Sequence, residues 1–156
     1  MSWKPSARPE KNFGTRNLLL VLDSNEFIFG FGVARKPSCE ALLDAVTETP
    51  AAAIRIPRLI VEEVGRHLSP EEFREFIEFI VSLTVIDEDF VVPFELGAKY
   101  EAEGLKPADA FIAAYIEWTG ADALVTENRH FLRQRDNLPF KVFNASDALK
   151  SIKASR

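Results

Sequence analysis

Apolar residues along the chain fall into short continuous runs, separated by longer stretches in which they recur at helical spacing. The first run, Asn17–Leu22, is apolar throughout after its first residue, which is typical of a strand buried on both faces of a parallel sheet. Weaker runs predict four more strands, over Ala53–Ile56, Thr84–Ile86, Ala123–Thr126 and Phe140–Phe143. The stretches between them predict helices over Ser38–Thr47, Arg58–Leu68, Pro93–Glu103, Pro107–Trp118 and Ser146–Ile152.

One more helix is indicated by its start signal. Ser69 is suited to the N-cap, Pro70 to the first helical position, and Glu72 stands three residues after the cap, which together form a capping box. The helix that follows places four apolar side chains on one face: Phe73, Phe76, Ile77 and Ile80.

Strands and helices therefore alternate along the whole sequence. This order predicts an α/β fold, a three-layer α/β/α sandwich with a central, mainly parallel sheet of about five strands. The sequence contains no repeat, low-complexity tract or linker that would divide it, so we expect residues 17–152 to form one domain. Residues 1–16 are expected to be a disordered basic segment.

The charge is unevenly distributed. The net charge of −5 would usually argue against a nucleic-acid partner. However, residues 1–16 carry four basic and one acidic residue, and residues 129–156 carry seven and two, whereas residues 17–128 have a balance of −13. The chain is an acidic body with basic ends, and these ends either contact a polyanion or are ordinary solvated charge.

Composition also limits the kind of site and the location of the protein. The single cysteine, Cys39, excludes an intrachain disulfide framework and a metal site built from cysteines. No apolar run approaches the ~18 residues of a membrane span, and the N-terminus lacks the apolar core of a signal peptide. We therefore expect a cytoplasmic protein with no membrane partner.

Two polar corners follow predicted strands. Asp23 comes directly after the first strand, and Thr126-Glu127-Asn128 ends a later one. Ligands of open parallel sheets bind beyond the carboxyl ends of the strands, where both corners fall. Each corner also has an ordinary interpretation as a turn or helix cap.

Two predicted helices carry acidic residues near their apolar faces. Glu63 lies at the border of the apolar arc of its helix, whereas Glu62 points away from that arc. Asp109 shares a face with Ile112, Ala113 and Ile116. The position of Asp109 in the first turn also suits the helix dipole, but the dipole does not explain why this residue lies on the apolar face of the helix. A buried carboxylate is costly without a partner, and a cation is the expected one.

Asp23, Glu63, Asp109 and the neighbouring Asn128 form a ligand set made only of oxygen atoms. Such a set favours Mg²⁺ or Mn²⁺ over zinc. The chain has only two histidines. We expect His67 to be a packed structural residue and His130 to be a polar neighbour of the site, and neither to be a ligand.

Three segments, VLDSNEF, IPRLIVEEV and KPADAFIAAYIEWTGADALVTENRHF, resemble the PIN-domain nucleases. The resemblance is greatest to the bacterial toxin components of toxin–antitoxin modules, and it extends from Asn17 to about Ala148. It implies metal ligation by Asp23, Glu63 and Asp109. The family often has an aspartate at a fourth position, where this chain has Asn128; an amide can ligate through oxygen or orient a water, but it contributes no charge.

The resemblance also implies an activity, a PIN-like form of the predicted sandwich, and partners. The expected enzyme is a Mg²⁺- or Mn²⁺-dependent endoribonuclease in which Asp23, Glu63, Asp109 and Asn128 are catalytic. RNA is the expected substrate, and an antitoxin protein and a second copy of the chain are candidate partners. The residues expected to contact RNA lie at the two corners and in the basic segment after them: Ser24, Asn25, Thr126, Arg129, Arg133 and Arg135.

Two other classes of function are open. One is a nucleic-acid-binding or regulatory module whose catalytic site has weakened, since Asn128 replaces an acid. The other is a phospho-acceptor domain of the haloacid dehalogenase or receiver type. It is disfavoured because Asn25 stands where the phosphatase pattern has a second aspartate, and because Asp23-Ser24 is not the acidic pair of a receiver.

Overall fold

Five parallel strands form the centre of the protein. The structure, a computed structural model, describes residues 17–155, so the disorder expected over residues 1–16 lies outside the described residues. The strand order is β3-β2-β1-β4-β5, and every neighbouring pair is parallel. The strands are β1 (Leu18–Leu22), β2 (Ala52–Pro57), β3 (Ile86–Asp87), β4 (Ala123–Val125) and β5 (Lys141–Phe143). The predicted fold class, a sandwich with a central parallel sheet, is confirmed.

Eight α-helices accompany the sheet within residues 17–155. They are α1 (Ser24–Phe31), α2 (Pro37–Glu48), α3 (Arg58–His67), α4 (Pro70–Leu83), α5 (Phe94–Ala102), α6 (Pro107–Thr119), α7 (Arg129–Arg133) and α8 (Ala145–Ala154). Short 3₁₀ turns cover Asp89–Val91 and Arg135–Asn137. None of the helices in this part of the chain has both the length and the apolar character of a membrane span.

The central strand β1 explains where a ligand can bind. Its residues Leu19–Leu22 are buried, as the unbroken apolar run predicts. From β1 the chain adds β2 and then β3 on one side, and it crosses to the other side of β1 to form β4 and β5. The carboxyl ends of β1 and β4 therefore flank the point at which the strand order reverses, which is the usual ligand crevice of an open α/β sheet.

Two helices next to this crevice were not predicted. α1 begins immediately after β1, with Asp23 as its N-cap, and it buries Ser24, Glu26 and Phe27. Gly30 lies so close to α2 that a Cβ there would stand 2.3 Å from a methyl carbon of Leu43. α7 contains only five residues, too few for an apolar period to be recognised.

The capping box of α4 is confirmed. The backbone N–H of Glu72 donates to the Ser69 hydroxyl at 3.1 Å, and the Glu72 carboxylate accepts from the Ser69 N–H at 2.8 Å. Phe76 and Ile80 on its apolar face are fully buried, and the Phe76 ring meets Phe27 of α1 edge-on at 4.9 Å. This contact holds α1 in place beside the crevice.

Candidate metal and nucleic-acid site

Asp23 is fixed by hydrogen bonds at the carboxyl end of β1. It is 6% exposed. One carboxylate oxygen accepts the Ser24 N–H at 2.8 Å, and the other accepts the Thr126 hydroxyl at 2.8 Å. The Asp23 backbone N–H donates to the Val125 carbonyl at 2.8 Å. The carboxylate is therefore held between the ends of β1 and β4, where the sheet topology predicts a ligand.

The electrostatics of Asp23 show which carboxylates surround it. Burial raises its pKa above the ordinary value of 3.8, and the negative charges of Glu63 and Asp109 raise it further. The hydrogen bonds from Thr126 and Ser24 act in the opposite direction. Three carboxylates, one after the end of β1, one on α3 and one on α6, therefore interact electrostatically.

Glu63 is the member of its acidic pair that faces this place. It is partly buried, whereas the adjacent Glu62 is exposed, as the helical geometry predicts. His67, expected to be a packed residue, is instead exposed at the end of α3, and its Nδ1 lies 2.9 Å from the Glu63 carbonyl. The helix ends at His67, so its ring reaches back to a terminal carbonyl instead of the core.

Asp109 enters the site from the first turn of α6. Pro107 opens this helix, and Ile112, Ala113 and Ile116 on the predicted face are buried. Burial raises the pKa of Asp109, the charges of His130 and Lys106 lower it, and Glu63 raises it. His130 therefore lies beside the site, as expected from the sequence.

Asn128 occupies the far side of the crevice as the N-cap of α7. Its side-chain oxygen accepts the His130 N–H at 2.9 Å, and its own N–H donates to the Thr126 hydroxyl at 3.0 Å. Thr126 thus connects the Asn128 backbone to the Asp23 carboxylate. The Asn128 side-chain oxygen has a second lone pair, so it can accept one more interaction. The role of Asn128 as a metal ligand stays a prediction.

The six residues expected to contact RNA separate into two groups. Ser24 and Thr126 are buried and hydrogen-bonded to Asp23, and Asn25 is partly buried. Arg129, Arg133 and Arg135 are exposed, the first two on α7 and the third in the 3₁₀ turn after it. These three arginines, called the basic face, are therefore accessible and follow Asn128 in the chain.

The donor chemistry of Asp23, Glu63 and Asp109 fits a hard divalent cation, because all of the donors are carboxylate oxygens. Their mutual repulsion, which adds to burial in raising the pKa of Asp23, would be relieved by a bound cation. The ligand atoms of these three residues do not all lie within 4.8 Å of one another in the structure, so a bound Mg²⁺ would keep several of its waters.

A tighter cluster lies next to this set, and sequence reasoning missed it. Glu26, Cys39 and Glu127 form the one group of three such side chains, within residues 17–155, whose ligand atoms all lie within 4.8 Å of one another. Glu26 is fully buried. The sequence feature that could have indicated a buried Glu26 is the apolar run that follows it directly, Phe27, Ile28 and Phe29.

The comparisons with known proteins agree with the fold. A family model described as PIN domain matches residues 20–137. The structure of VapBC2 from Rickettsia felis bound to a DNA fragment from their promoter is similar, with a TM-score of 0.58 and 18% identity over 81% of this chain and 98% of that one. The structure of FitAcB from Neisseria gonorrhoeae gives a TM-score of 0.53 and 15% identity, with the same coverage of 81% and 98%. No curated protein sequence matches.

PIN domains are generally nucleases, and they generally use divalent metals. The family match also argues against the phospho-acceptor alternative. The model spans most of the described residues, from β1 to the 3₁₀ turn after α7, and includes each of the converging carboxylates. The chain belongs to the PIN domain family.

Proposed function

We propose that this protein is a Mg²⁺- or Mn²⁺-dependent endoribonuclease that acts at the β1–β4 crevice. The observation that carries the proposal is that Asp23 lies at the point where the strand order reverses, that the charges of Glu63 and Asp109 act on it, and that Glu63 also acts on Asp109. Three carboxylates from separate elements repel one another, so the fold gains nothing from their closeness unless a cation joins them. The nuclease activity that is general in the family gives this arrangement a chemical purpose.

The residues of the site have distinct roles in the proposal. Asp23, Glu63 and Asp109 would hold the ion through carboxylate oxygens, and Asn128 would add its amide oxygen or orient a water. A bound divalent ion lowers the pKa of water and acts as a Lewis acid toward a phosphodiester. Thr126 and Ser24 position Asp23, since their hydrogen bonds fix both of its oxygens.

The basic face supports RNA as the substrate. Arg129, Arg133 and Arg135 are exposed and follow Asn128 in the chain, so they can neutralise phosphates that flank the cleaved bond. The carboxylates repel a polyanion until a cation is bound. The exposed guanidinium groups of the segment after Asn128 would attract the RNA backbone outside the crevice.

The two similar solved structures support an antitoxin as a partner, because both are toxin–antitoxin complexes. We propose that this chain is likewise the toxin of such a pair, that it acts in the cytoplasm, and that it pairs with a second copy of itself. Coexpression with the product of an adjacent small reading frame should suppress cleavage. Light scattering of the purified chain should give twice the mass of one chain.

The test is a cleavage assay with a panel of single-stranded and structured RNAs, with Mg²⁺, with Mn²⁺ and with EDTA. Cleavage should require the metal. Asp23→Asn should abolish it, while RNA affinity measured in Ca²⁺ stays similar or improves, because one negative charge leaves the phosphate-binding region. The asparagine can still accept from Ser24 N–H and donate to Thr126, so the fold should be retained. Cleavage that survives both EDTA and Asp23→Asn would end the proposal.

A weakened nucleic-acid-binding module is the second candidate, and Asn128 is the observation that favours it. This module would bind RNA through the basic face and show no cleavage with either metal. If Asn128→Asp then produced Mn²⁺-dependent cleavage, the chain would be a nuclease that has lost one ligand.

A further inference from the structure

Glu26, Cys39 and Glu127 form a cluster beside the proposed nuclease site. Glu26 comes from α1, Cys39 from the first turn of α2, and Glu127 from the corner after β4. Their ligand atoms lie within 4.8 Å of one another, and Glu26 and Cys39 are both fully buried. Glu127 is only partly buried, so the cluster has one side toward solvent.

The hydrogen bonding of Glu26 is incomplete. Its Oε1 accepts from the Cys39 thiol at 3.4 Å, which is a weak interaction. Its Oε2 is buried and accepts from no N–H or O–H donor among the described residues, and the neighbouring Glu127 carboxyl can hydrogen-bond to Glu26 only if the two acids share a proton. Burial raises the pKa of Glu26 to about 9, and the adjacent carboxylate of Glu127 contributes to the rise. Two acids and a thiol in a buried space require a counter-charge, either a shared proton or a cation.

Two features favour a cation over a proton. A proton shared by Glu26 and Glu127 would leave the Cys39 thiol only as a weak donor to Glu26, whereas a cation would bind all three side chains directly. The spacing also fits: zinc bonds of about 2.3 Å to sulfur and about 2.0 Å to oxygen, at tetrahedral angles, separate those atoms by roughly 3.5 Å. The observed separation of Cys39 Sγ and Glu26 Oε1 is 3.4 Å.

We propose that Glu26, Cys39 and Glu127 bind a second, structural transition-metal ion, with Zn²⁺ as the best match. A thiolate ligand favours Zn²⁺ over Mg²⁺ and Ca²⁺, which distinguishes this site from the oxygen-only set around Asp23. A water at the solvent side of Glu127 would complete four-coordination. On binding, the Cys39 thiol proton and the proton held by the acids leave to solvent.

The proposed ion would hold in place the segments that carry the nuclease site. Asp23 caps α1 three residues before Glu26, and Glu127 stands between Thr126, which bonds Asp23, and Asn128. Glu127 also accepts the Ala145 N–H at the start of α8, at 3.1 Å. An ion here joins α1, α2 and the β4–α7 corner, and so fixes the two segments that present Asp23 and Asn128. The proposed site at Glu26, Cys39 and Glu127 does not depend on whether the proposed RNA cleavage is correct.

The experiment uses Co²⁺ as a spectroscopic probe of the full chain after treatment with a chelator. Cys39 is the only cysteine of the chain, so a thiolate-to-cobalt charge-transfer band in the near ultraviolet reports on this site alone. We expect the band to saturate at one equivalent of Co²⁺ and to disappear when Zn²⁺ displaces the cobalt. Zn²⁺ should also raise the melting temperature.

Three variants make the test specific. Cys39→Ser should abolish the band, and Glu26→Gln should weaken Co²⁺ binding by roughly 100-fold or more, since even residues that only support a ligand contribute 10–100-fold. Asp109→Asn, which alters the oxygen-only set, should leave the band and its affinity unchanged. An absent band in the wild-type chain would overturn the proposal and assign the cluster to a shared proton, and this result does not depend on whether a variant folds. An undiminished affinity in folded Glu26→Gln would overturn it as well.

Discussion

The Thr126 hydroxyl donates a hydrogen bond of 2.8 Å to the carboxylate of Asp23, a residue 103 positions earlier in the chain. The same hydroxyl accepts the Asn128 N–H at 3.0 Å. Thr126 is fully buried, so neither bond competes with water. One side chain therefore sets the relative positions of a proposed metal ligand and the corner that carries another.

Thr126→Val should remove both bonds while preserving shape. It leaves one buried Asp23 oxygen and the Asn128 N–H without their partner, which should reduce the free energy of unfolding by about 1–3 kcal/mol. It should also raise the Mg²⁺ concentration for half-maximal cleavage by roughly tenfold or more, as for other residues that orient a ligand. Urea denaturation and a Mg²⁺ titration of cleavage measure the two effects.

Thr119→Val is the matched control for that variant. Thr119 is also a buried threonine, and its hydroxyl donates to the Ile116 carbonyl and accepts the Ala121 N–H. It should lose comparable stability with no change in the Mg²⁺ requirement. Equal changes in the Mg²⁺ requirement for both variants would contradict a positioning role of Thr126.

Asp109→Asn should separate metal binding from folding. The pKa of Asp109 in the folded protein is raised above 3.8, mainly by burial, so its ionised form opposes folding as the pH rises through and above 3.8. Without metal at neutral pH, the variant should therefore melt at the same or a higher temperature than the wild type. This advantage should vanish below about pH 3.8, where the wild-type carboxyl is protonated in both states.

Mg²⁺ should stabilise the wild type but not Asp109→Asn. At 100 times the dissociation constant, the expected stabilisation is about 2.7 kcal/mol. Melting curves of both proteins with and without Mg²⁺ measure it. A strongly destabilised metal-free variant would indicate that the acid serves the helix dipole or packing instead.

Arg133→Ala combined with Arg135→Ala should weaken RNA binding. Each lost phosphate contact should also reduce the slope of log affinity against log salt concentration by about 1. Arg74→Ala on the exposed side of α4 is the control, and it should leave both quantities unchanged. Filter binding in Ca²⁺ over a range of KCl concentrations provides the data; an unaltered slope would remove these arginines from the RNA interface.

Asn128→Asp should retain or increase cleavage. Aspartate can cap α7 as asparagine does, by accepting the His130 N–H, so the helix should be unaffected. The added charge gives the ion a stronger ligand. Single-turnover rates at saturating Mn²⁺ are the measurement, with Asn128→Ala as the comparison that loses both the cap and the oxygen. A large loss of activity in Asn128→Asp would show that the amide N–H is needed instead.

The sequence predicted the parts of the site that follow from local periodicity. The unbroken run of β1 places Asp23, and the spacing from Asp109 to Ile116 identifies the face of α6 that packs inward. Both depend on neighbours within one element. The choice of Glu63 over Glu62 rests on the same geometry.

Features that depend on contacts between distant residues were not predictable in this way. α1 is eight residues long and buries Glu26 along with Phe27, so it lacks the polar face by which an amphipathic helix is recognised. The approach of Glu127 to Glu26 requires β4 to lie beside β1, which no local pattern encodes. The weak third strand was shifted for a similar reason: it forms over Ile86–Asp87, where the Asp87 carboxylate can accept Arg55 Nε at 3.0 Å.

The central position of β1 means that its two sides are completed at different times during synthesis. β2 and β3 are made by residue 87, whereas β4 begins only at residue 123. A nascent chain of intermediate length carries Asp23 and Glu63 but not the Thr126 hydroxyl that fixes Asp23. Contacts of such long sequence separation also form late in folding. A nascent chain that ends before β4 therefore lacks the hydrogen bond that positions Asp23, and the proposed activity arises only after the β4–α7 corner has been synthesised.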